Sequence, residues 1–528
     1  MNNPHLWHGV QDPYLHTINV ELIDNGAVVD VRTIKQGFRF FKFDETYFYL
    51  NGERMTLDGV SRHQDRWEVG NALTTEMHDE DMEFIKEVGA NSIRLAHYQQ
   101  AQYFYDLCDK EGMIVWAEIP YISLTSKTDL TGANAMSQME ELVKQNYNHT
   151  SIIMWGVQNE TTIAGKKNNL ENIVQNLHDL TVEIDPYRVT TQAQVAMHPL
   201  KDSMNEITDT VAFNQYFGWY MGEAEEFGPW LAEYRKLNPN RPIGLSEYGA
   251  EGIIRYHSDE PVCKDYTEEY HALWHEKVYS ILSTTEYVWG TYVWNMFSFA
   301  ADARDEGGVK GLNNKGLVTI DRKVRKDAFY YYKAKWNKEP MVHLCSKRFV
   351  ERHNKDIELK AYSNLGEVAF FLNGELVETV KSDDVIFTAK VSLTEGENKV
   401  QVISKDLSDE TVFITVDEIN ESYTVPQSAQ GKGIFLFDDA GNWFDDLEEG
   451  EAVEFDPTCF SIKDTISDVL EKEEGMALFK KYMQSFLDHP MFEMAQRFTL
   501  EMIVNFDPKA LPEGLVTLLN KELQKIKK

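Results

Sequence analysis

Positive charge is scarce in this chain: 52 Lys and Arg stand against 86 Asp and Glu, a formal net charge of -34 over 528 residues. Such a surface repels polyanions, so neither nucleic acid nor an anionic membrane is an expected partner. Cysteine is rarer still. Cys108, Cys263, Cys345 and Cys459 lie far apart, without metal-ligand or disulfide-framework spacing, and read as reduced core or surface thiols. No apolar run approaches a membrane span, and Met1-Asn2-Asn3-Pro4-His5 has neither a basic nor an apolar leader segment, so a cytoplasmic location is expected. Without a secretion signal, the sequon Asn148-His149-Thr150 reads as a loop. Repeats and low-complexity tracts are also lacking.

What is present is enough apolar and aromatic material for a large core, 42% and 12% of residues. Because single cores stop growing near about 250–300 residues, more than one domain is expected. Residues 1–50 read as β, with alternation over 16–22 and a strand that runs into the Asn51-Gly52 turn. From 51 to 337 short strands alternate with amphipathic helices. The strand candidates are 55–61, 91–97, 113–119, 151–160, 189–196, 210–217, 242–249 and 288–297, the number that closes a (β/α)8 TIM barrel. Helices are expected near 76–88, 101–110, 135–147, 224–237 and 266–282. Residues 340–417 alternate again around an Asn373-Gly374 turn and read as a small Ig-like β-sandwich. An acidic linker within 418–528 leads to helices near 461–486, 491–505 and 512–527, the first with Ser461 as its N-cap. The fold class is therefore α/β, a barrel flanked by β-sandwich elements with a helical C-terminal segment.

Two of the barrel strands end in glutamate. Ile152-Ile153-Met154-Trp155-Gly156-Val157-Gln158-Asn159-Glu160 and Ile243-Gly244-Leu245-Ser246-Glu247 are apolar runs closed by an ionisable residue. That is costly unless the acid faces a polar cavity. Both acids fall at C-terminal strand ends, where such barrels hold their active sites. A pair of carboxylates across a sugar-sized gap is the requirement of glycoside hydrolysis. Taken singly, each glutamate is more readily a helix cap or an ion-pair partner; together with their motifs they point to catalysis.

Around them stand Gly59-Val60-Ser61-Arg62-His63-Gln64-Asp65, Asn91-Ser92-Ile93-Arg94-Leu95-Ala96-His97-Tyr98, Leu107-Cys108-Asp109, Asn148-His149-Thr150-Ser151, Ser246-Glu247-Tyr248-Gly249 and Asn314-Lys315-Gly316-Leu317-Val318. With these motifs in order, residues 1–417 resemble glycoside hydrolase family 2, in its β-galactosidase branch. The resemblance implies a retaining hydrolase of terminal β-D-galactosides, with Glu160 as acid/base and Glu247 as nucleophile. It also implies that Arg94 and Tyr216 contact the nucleophile and that Asn159 holds the sugar 2-hydroxyl. His63 and His97 resemble ligands of substrate hydroxyls, and Trp294 a wall of the sugar pocket. Glu118, ending the third strand, is expected to pair with an arginine inside the barrel.

The pattern is broken in places. After Glu118 the segment Ile119-Pro120-Tyr121-Ile122-Ser123 lacks the pair with which some family members bind magnesium, so no metal or other cofactor is expected. Ala250 stands where those enzymes place a histidine. The front looks shortened, with 1–50 as the remnant of an Ig-like sandwich, and this implies exposed strand edges and a homo-oligomer or an accompanying N-terminal polypeptide. Asn313-Asn314-Lys315 fits the Asn-x-Lys pattern with which β-glucuronidases hold the substrate carboxylate, so Asn313 and Lys315 support that activity as an alternative. An inert sugar-binding or partner-requiring subunit is the alternative of another class.

Overall fold

The computed structural model describes residues 3–123, 129, 131–163, 169–426, 456–487, 492–506, 511 and 513–528. Eight parallel strands close a barrel: Leu57–Arg62, Ser92–Leu95, Ile114–Glu118, Ile152–Asn159, Val189–Gln194, Val211–Asn214, Ile243–Tyr248 and Val288–Val293. All fall inside the segments expected from sequence or overlap them. Almost every residue in them is buried, as in a parallel sheet covered on both faces.

Helices Thr75–Val88, Gln102–Glu111, Ala133–Asn146, Leu170–Ile184, Phe227–Leu237, Glu268–Leu282 and Asp327–Trp336 surround the barrel. Between the fifth and sixth strands only the 3-10 turn Ser203–Glu206 intervenes. Helix starts follow local chemistry: the Thr267 hydroxyl accepts from the Tyr270 amide at 3.0 Å and Thr74 from Met77 at 3.4 Å. Gly89 stops the first helix at φ 89°, a left-handed conformation with little penalty for glycine.

Below the barrel, strands Phe41–Phe43, Phe48–Leu50 and Glu53–Met55 form a small antiparallel sheet. Phe48 and Leu50 join Trp7, Trp116 and Trp289 in a buried cluster that closes the barrel floor. The Asn51-Gly52 turn thus lies inside a paired hairpin, although 50/51 is where the sequence changes character. Strands His16–Asp24 and Ala27–Gln36 form a separate two-stranded ribbon, exposed along nearly its whole length. Val20, Leu22, Ile23, Val28 and Val29 are all more than half exposed there.

Strands Val342–Leu344, Asp356–Ser363 and Ile386–Ser392 form one sheet of the following unit. Glu351–Arg352, Glu367–Leu372, Glu375–Lys381, Glu397–Ser404 and Leu407–Thr415 form the other, and Leu359, Phe370, Phe387 and Val402 fill the core between them. The C-terminal residues fold into short helices, Ile466–Leu470, Glu473–Tyr482, Gln484–Leu487, Phe492–Ala495, Leu500–Phe506 and Glu513–Leu523, around Phe479, Phe486, Leu515 and Leu519. They are more fragmented than the sequence suggests, and Ser461 is not an N-cap. Its backbone amide is taken by the Asp464 carboxylate at 2.8 Å and the helix starts later, under the Thr465 hydroxyl. The short polar side chain of Asp464 competes for that backbone and delays the helix.

Candidate active site

The C-terminal ends of the barrel strands open into a cavity of about 330 Å³ lined by both glutamates. Glu160 follows the strand Ile152–Asn159 with φ 53°, and its carbonyl accepts from the Ile163 amide at 2.9 Å. Holding a non-glycine residue left-handed costs about 1–2 kcal/mol, offset here by turning the carboxyl into the cavity. Glu247 lies within the seventh strand, where the sheet sets its direction.

The two acids have different surroundings. Burial first, and the nearby Glu247 charge second, push the Glu160 carboxyl up to about 7. Its Oε1 accepts from Asn214 Nδ2 at 2.9 Å. Glu247 receives Arg94 Nη1 on Oε1 at 2.7 Å and the Tyr216 hydroxyl on Oε2 at 2.6 Å, donors that match an ionised carboxylate. Arg94 is completely buried. It also donates to Glu118 Oε1 at 2.9 Å and to Asn159 Oδ1 at 2.7 Å, so the arginine partner expected for Glu118 is present. Asn214 Nδ2 lies 3.2 Å from Asn159 Oδ1, completing a chain of polar contacts from Glu160 through Asn214, Asn159 and Arg94 to Glu247.

His63, His97, Asn159, Tyr216, Trp294 and Lys315 also line the cavity. Burial lowers the His97 imidazole to about 3 and takes His63 well below its ordinary value, with the neighbouring cations adding to both shifts. Both rings are therefore neutral at physiological pH and can each offer one donor and one acceptor. His97 Nδ1 lies 3.0 Å from Glu118 Oε1. His63 stacks on Phe299 at 4.2 Å between ring centroids, and Trp294 packs against His97 at 5.0 Å.

Lys315 extends into the cavity, but Asn313 does not line it: its Oδ1 accepts the Lys315 amide at 3.0 Å and so shapes the loop. Its buried Nδ2 has no hydrogen-bond partner among the described residues. The hairpin of Phe299–Glu306 and Val309–Asn313 brings Arg304 beside Lys315. Both donate to the Tyr220 hydroxyl, at 3.0 and 2.6 Å. Lys264 Nζ sits 4.6 Å from the same ring. Glu251 and Glu306 face this group, Glu251 at 3.1 Å from Lys315 and Glu306 at 2.6 Å from Arg304. Lys315 and Arg304 are thus each paired with a carboxylate, and burial lowers the Lys264 ammonium from its ordinary value.

Asn214, Tyr220 and Lys264 were not singled out from sequence. Asn214 ends its strand two residues before Tyr216, a spacing that period-two reasoning on the expected 210–217 strand could have used. Tyr220 and Lys264 lie in loops and carry no such signal. Possible metal-ligand groups among the described residues are Asp327, His343 and Cys345, and Asp106, Asp109 and His149. None of these lines the cavity. His343 Nε2 and Asp327 Oδ1 are 2.9 Å apart, and His149 Nδ1 and Asp109 Oδ2 2.8 Å, so the first group ties the helix Asp327–Trp336 to the strand Val342–Leu344 and the second ties the helix Gln102–Glu111 to the loop before Ile152–Asn159.

A closed parallel barrel with two differently held carboxylates at its mouth has the architecture and donor set of a barrel glycosidase. The chain belongs to glycosyl hydrolase family 2: residues 41–339 match the family's TIM barrel domain and residues 1–39 match a second model of the family. It is 40% identical over 429 residues to a beta-glucuronidase of Bacteroides fragilis, a match covering 78% of this chain and 61% of that protein. The crystal structure of an FMN-binding beta-glucuronidase from Facaelibacterium prausnitzii L2-6 superposes with a TM-score of 0.78 and 45% identity, covering 80% of this chain and 66% of that one. A putative beta-galactosidase structure from Bacteroides fragilis has a TM-score of 0.75 and 35% identity, covering 79% and 64%. The chain thus spans about three fifths of the length of the first of these relatives.

Proposed function

We propose that this chain carries the active site of a retaining β-glucuronidase. Carrying this reading is the pairing of Lys315 and Arg304 on the cavity wall that also holds Glu160 and Glu247. A uronic acid carboxylate could accept from the Lys315 ammonium and the Arg304 guanidinium there, a charge-assisted contact that the neutral primary hydroxyl of galactose cannot make. The beta-glucuronidase names of similar proteins favour the same reading over the β-galactosidase branch expected from the motifs.

In the first step a Glu247 oxygen attacks the anomeric carbon as the bond to the leaving oxygen breaks, and Glu160 gives that oxygen its proton. Glu160, now a carboxylate, then takes a proton from water. The water oxygen displaces Glu247 from the anomeric carbon, which restores both acids and retains the configuration. Asn159 is positioned to donate to the sugar 2-hydroxyl oxygen through its free amide, since its Oδ1 is already held by Arg94. Arg94 and Tyr216 act as positioning residues through Glu247.

Side-by-side turnover of nitrophenyl β-glucuronide and β-galactoside by the 528-residue chain tests the sugar. Glucuronide is expected to be preferred; galactoside preferred by about tenfold or more, near 1.4 kcal/mol, overturns the reading. The Glu247→Gln variant tests catalysis itself. Activity lost only in the variant excludes an inert sugar-binding subunit, whereas no activity in either protein favours it.

A further inference from the structure

The cavity has two unlike ends. Towards Lys315 and Arg304 it is polar, while on the Glu160 side its lining turns apolar: Ile122, Ile163, Met197, Phe498 and Met502. Phe498 and Met502 belong to the C-terminal helical unit, more than three hundred residues from Glu160 in sequence. Ile163 packs against the core of that unit, and it follows Glu160 in the turn closed by the 2.9 Å hydrogen bond from Ile163 to Glu160. Barrel loop and C-terminal helices therefore meet on the Glu160 side of the cavity.

The proton donor of a glycosidase stands beside the bond to the leaving group, so whatever surrounds it surrounds the aglycone. This step rests on Glu160 being that donor, as proposed above. We infer that the C-terminal helical unit builds the leaving-group subsite and selects β-glycosides of flat, apolar alcohols, phenols above all. An aromatic aglycone gains from burial against Phe498 and from the adaptable thioethers of Met197 and Met502. A second sugar would set its hydroxyls against this wall without partners, which disfavours oligosaccharides. The small, partly enclosed volume, about 330 Å³, also fits a monosaccharide with one compact aglycone better than a polymer.

The test compares aryl and methyl glycosides of one sugar on the full chain and on the variants Met502→Ala and Phe498→Ala. The aryl-to-methyl ratio of kcat/KM is expected to fall about tenfold in each variant. Phe498 is deeply buried and its truncation can unfold the unit; Met502 is only partly buried, so Met502→Ala with a parental melting curve is the deciding variant. The series is run on both glucuronides and galactosides. Activity on galactosides alone sinks the sugar assignment, but the aglycone ratio is still read. Calorimetric binding of nitrophenyl against methyl 1-thio-β-glycosides gives the same ratio without turnover. An unchanged ratio in Met502→Ala, by kinetics or by binding, overturns the inference, as does preferential cleavage of a disaccharide.

Discussion

Arg94 reaches across the barrel to Glu247, with Nη1 2.7 Å from Oε1, and the arginine is fully buried while the glutamate is nearly so. The same guanidinium holds Glu118 and Asn159, so one side chain orders three. Arg94→Met is expected to destabilise the barrel by about 3–5 kcal/mol, because two buried carboxylates lose their cation. Arg94→Lys recovers only part of this, since a point charge cannot reproduce the planar fork. Denaturant unfolding with the parent protein alongside is the check; a loss under about 1 kcal/mol would mean that the network relaxes without it.

Tyr216 gives Glu247 its second donor, at 2.6 Å. Removing a hydrogen bond to a charged group costs about 1.5–3 kcal/mol, so Tyr216→Phe is expected to lower kcat roughly 10- to 100-fold. KM for a nitrophenyl glycoside should move less. A wild-type kcat in the variant would show that the tyrosine does not bear on the reacting carboxylate.

Glu160 must be protonated to act as an acid, and burial beside Glu247 lifts it to about 7. With Glu160 as the proposed proton donor, kcat/KM is expected to be level on the acidic side of that value and to fall about tenfold per pH unit above it. In Glu160→Gln the alkaline limb disappears, and the residual rate survives best with nitrophenyl leaving groups that need no proton. The same shift acts on folding: the stability it confers is complete below the unfolded carboxyl range and is lost as pH rises through about 7. Glu160→Gln should therefore gain in melting temperature over the parent at pH 8, about one unit above that value, more than at pH 5.

Lys315 donates to Tyr220 at 2.6 Å and pairs with Glu251 at 3.1 Å on the cavity wall. Lys315→Met is expected to lower kcat/KM for nitrophenyl glucuronide by about two orders of magnitude or more, the loss of a buried charge-assisted contact, and to affect the galactoside less. Equal losses on both sugars would assign Lys315 to holding the loop alone.

The ribbon of His16–Asp24 and Ala27–Gln36 leaves Leu22, Ile23 and Val29 exposed. Two-stranded ribbons with apolar surface and open edges invite further strands. Sedimentation of the 528-residue chain is expected to show mass rising with concentration, and a Leu22→Lys, Val29→Lys variant to return it to a monomer of 61.1 kDa. A monomer at every concentration would remove self-association from the account.

Much of the barrel was readable because its signal is local. Runs of apolar residues of strand length and amphipathic stretches such as those near 76–88 and 266–282 declare themselves within about 15 residues. The acids stood out for a similar reason: a glutamate at the end of an apolar strand is costly unless it has work to do. The C-terminal helices were less readable. Their caps compete with side chains such as Asp464, and short helices draw their stability from tertiary packing rather than propensity. The Arg304, Lys264 and Tyr220 cluster was not visible as a unit, because it joins a hairpin strand to two loops without common spacing.

By itself the sequence determined the alternation that closes eight strands, and it set Glu160 and Glu247 at their C-terminal ends; these follow from periodicity and from the cost of burying an acid. Only the tertiary structure decided which cations line the cavity, which carboxyl burial pushes up and which distant helices wall its Glu160 side. Those properties depend on desolvation and on distances of a few ångströms between segments hundreds of residues apart, and no local pattern encodes them.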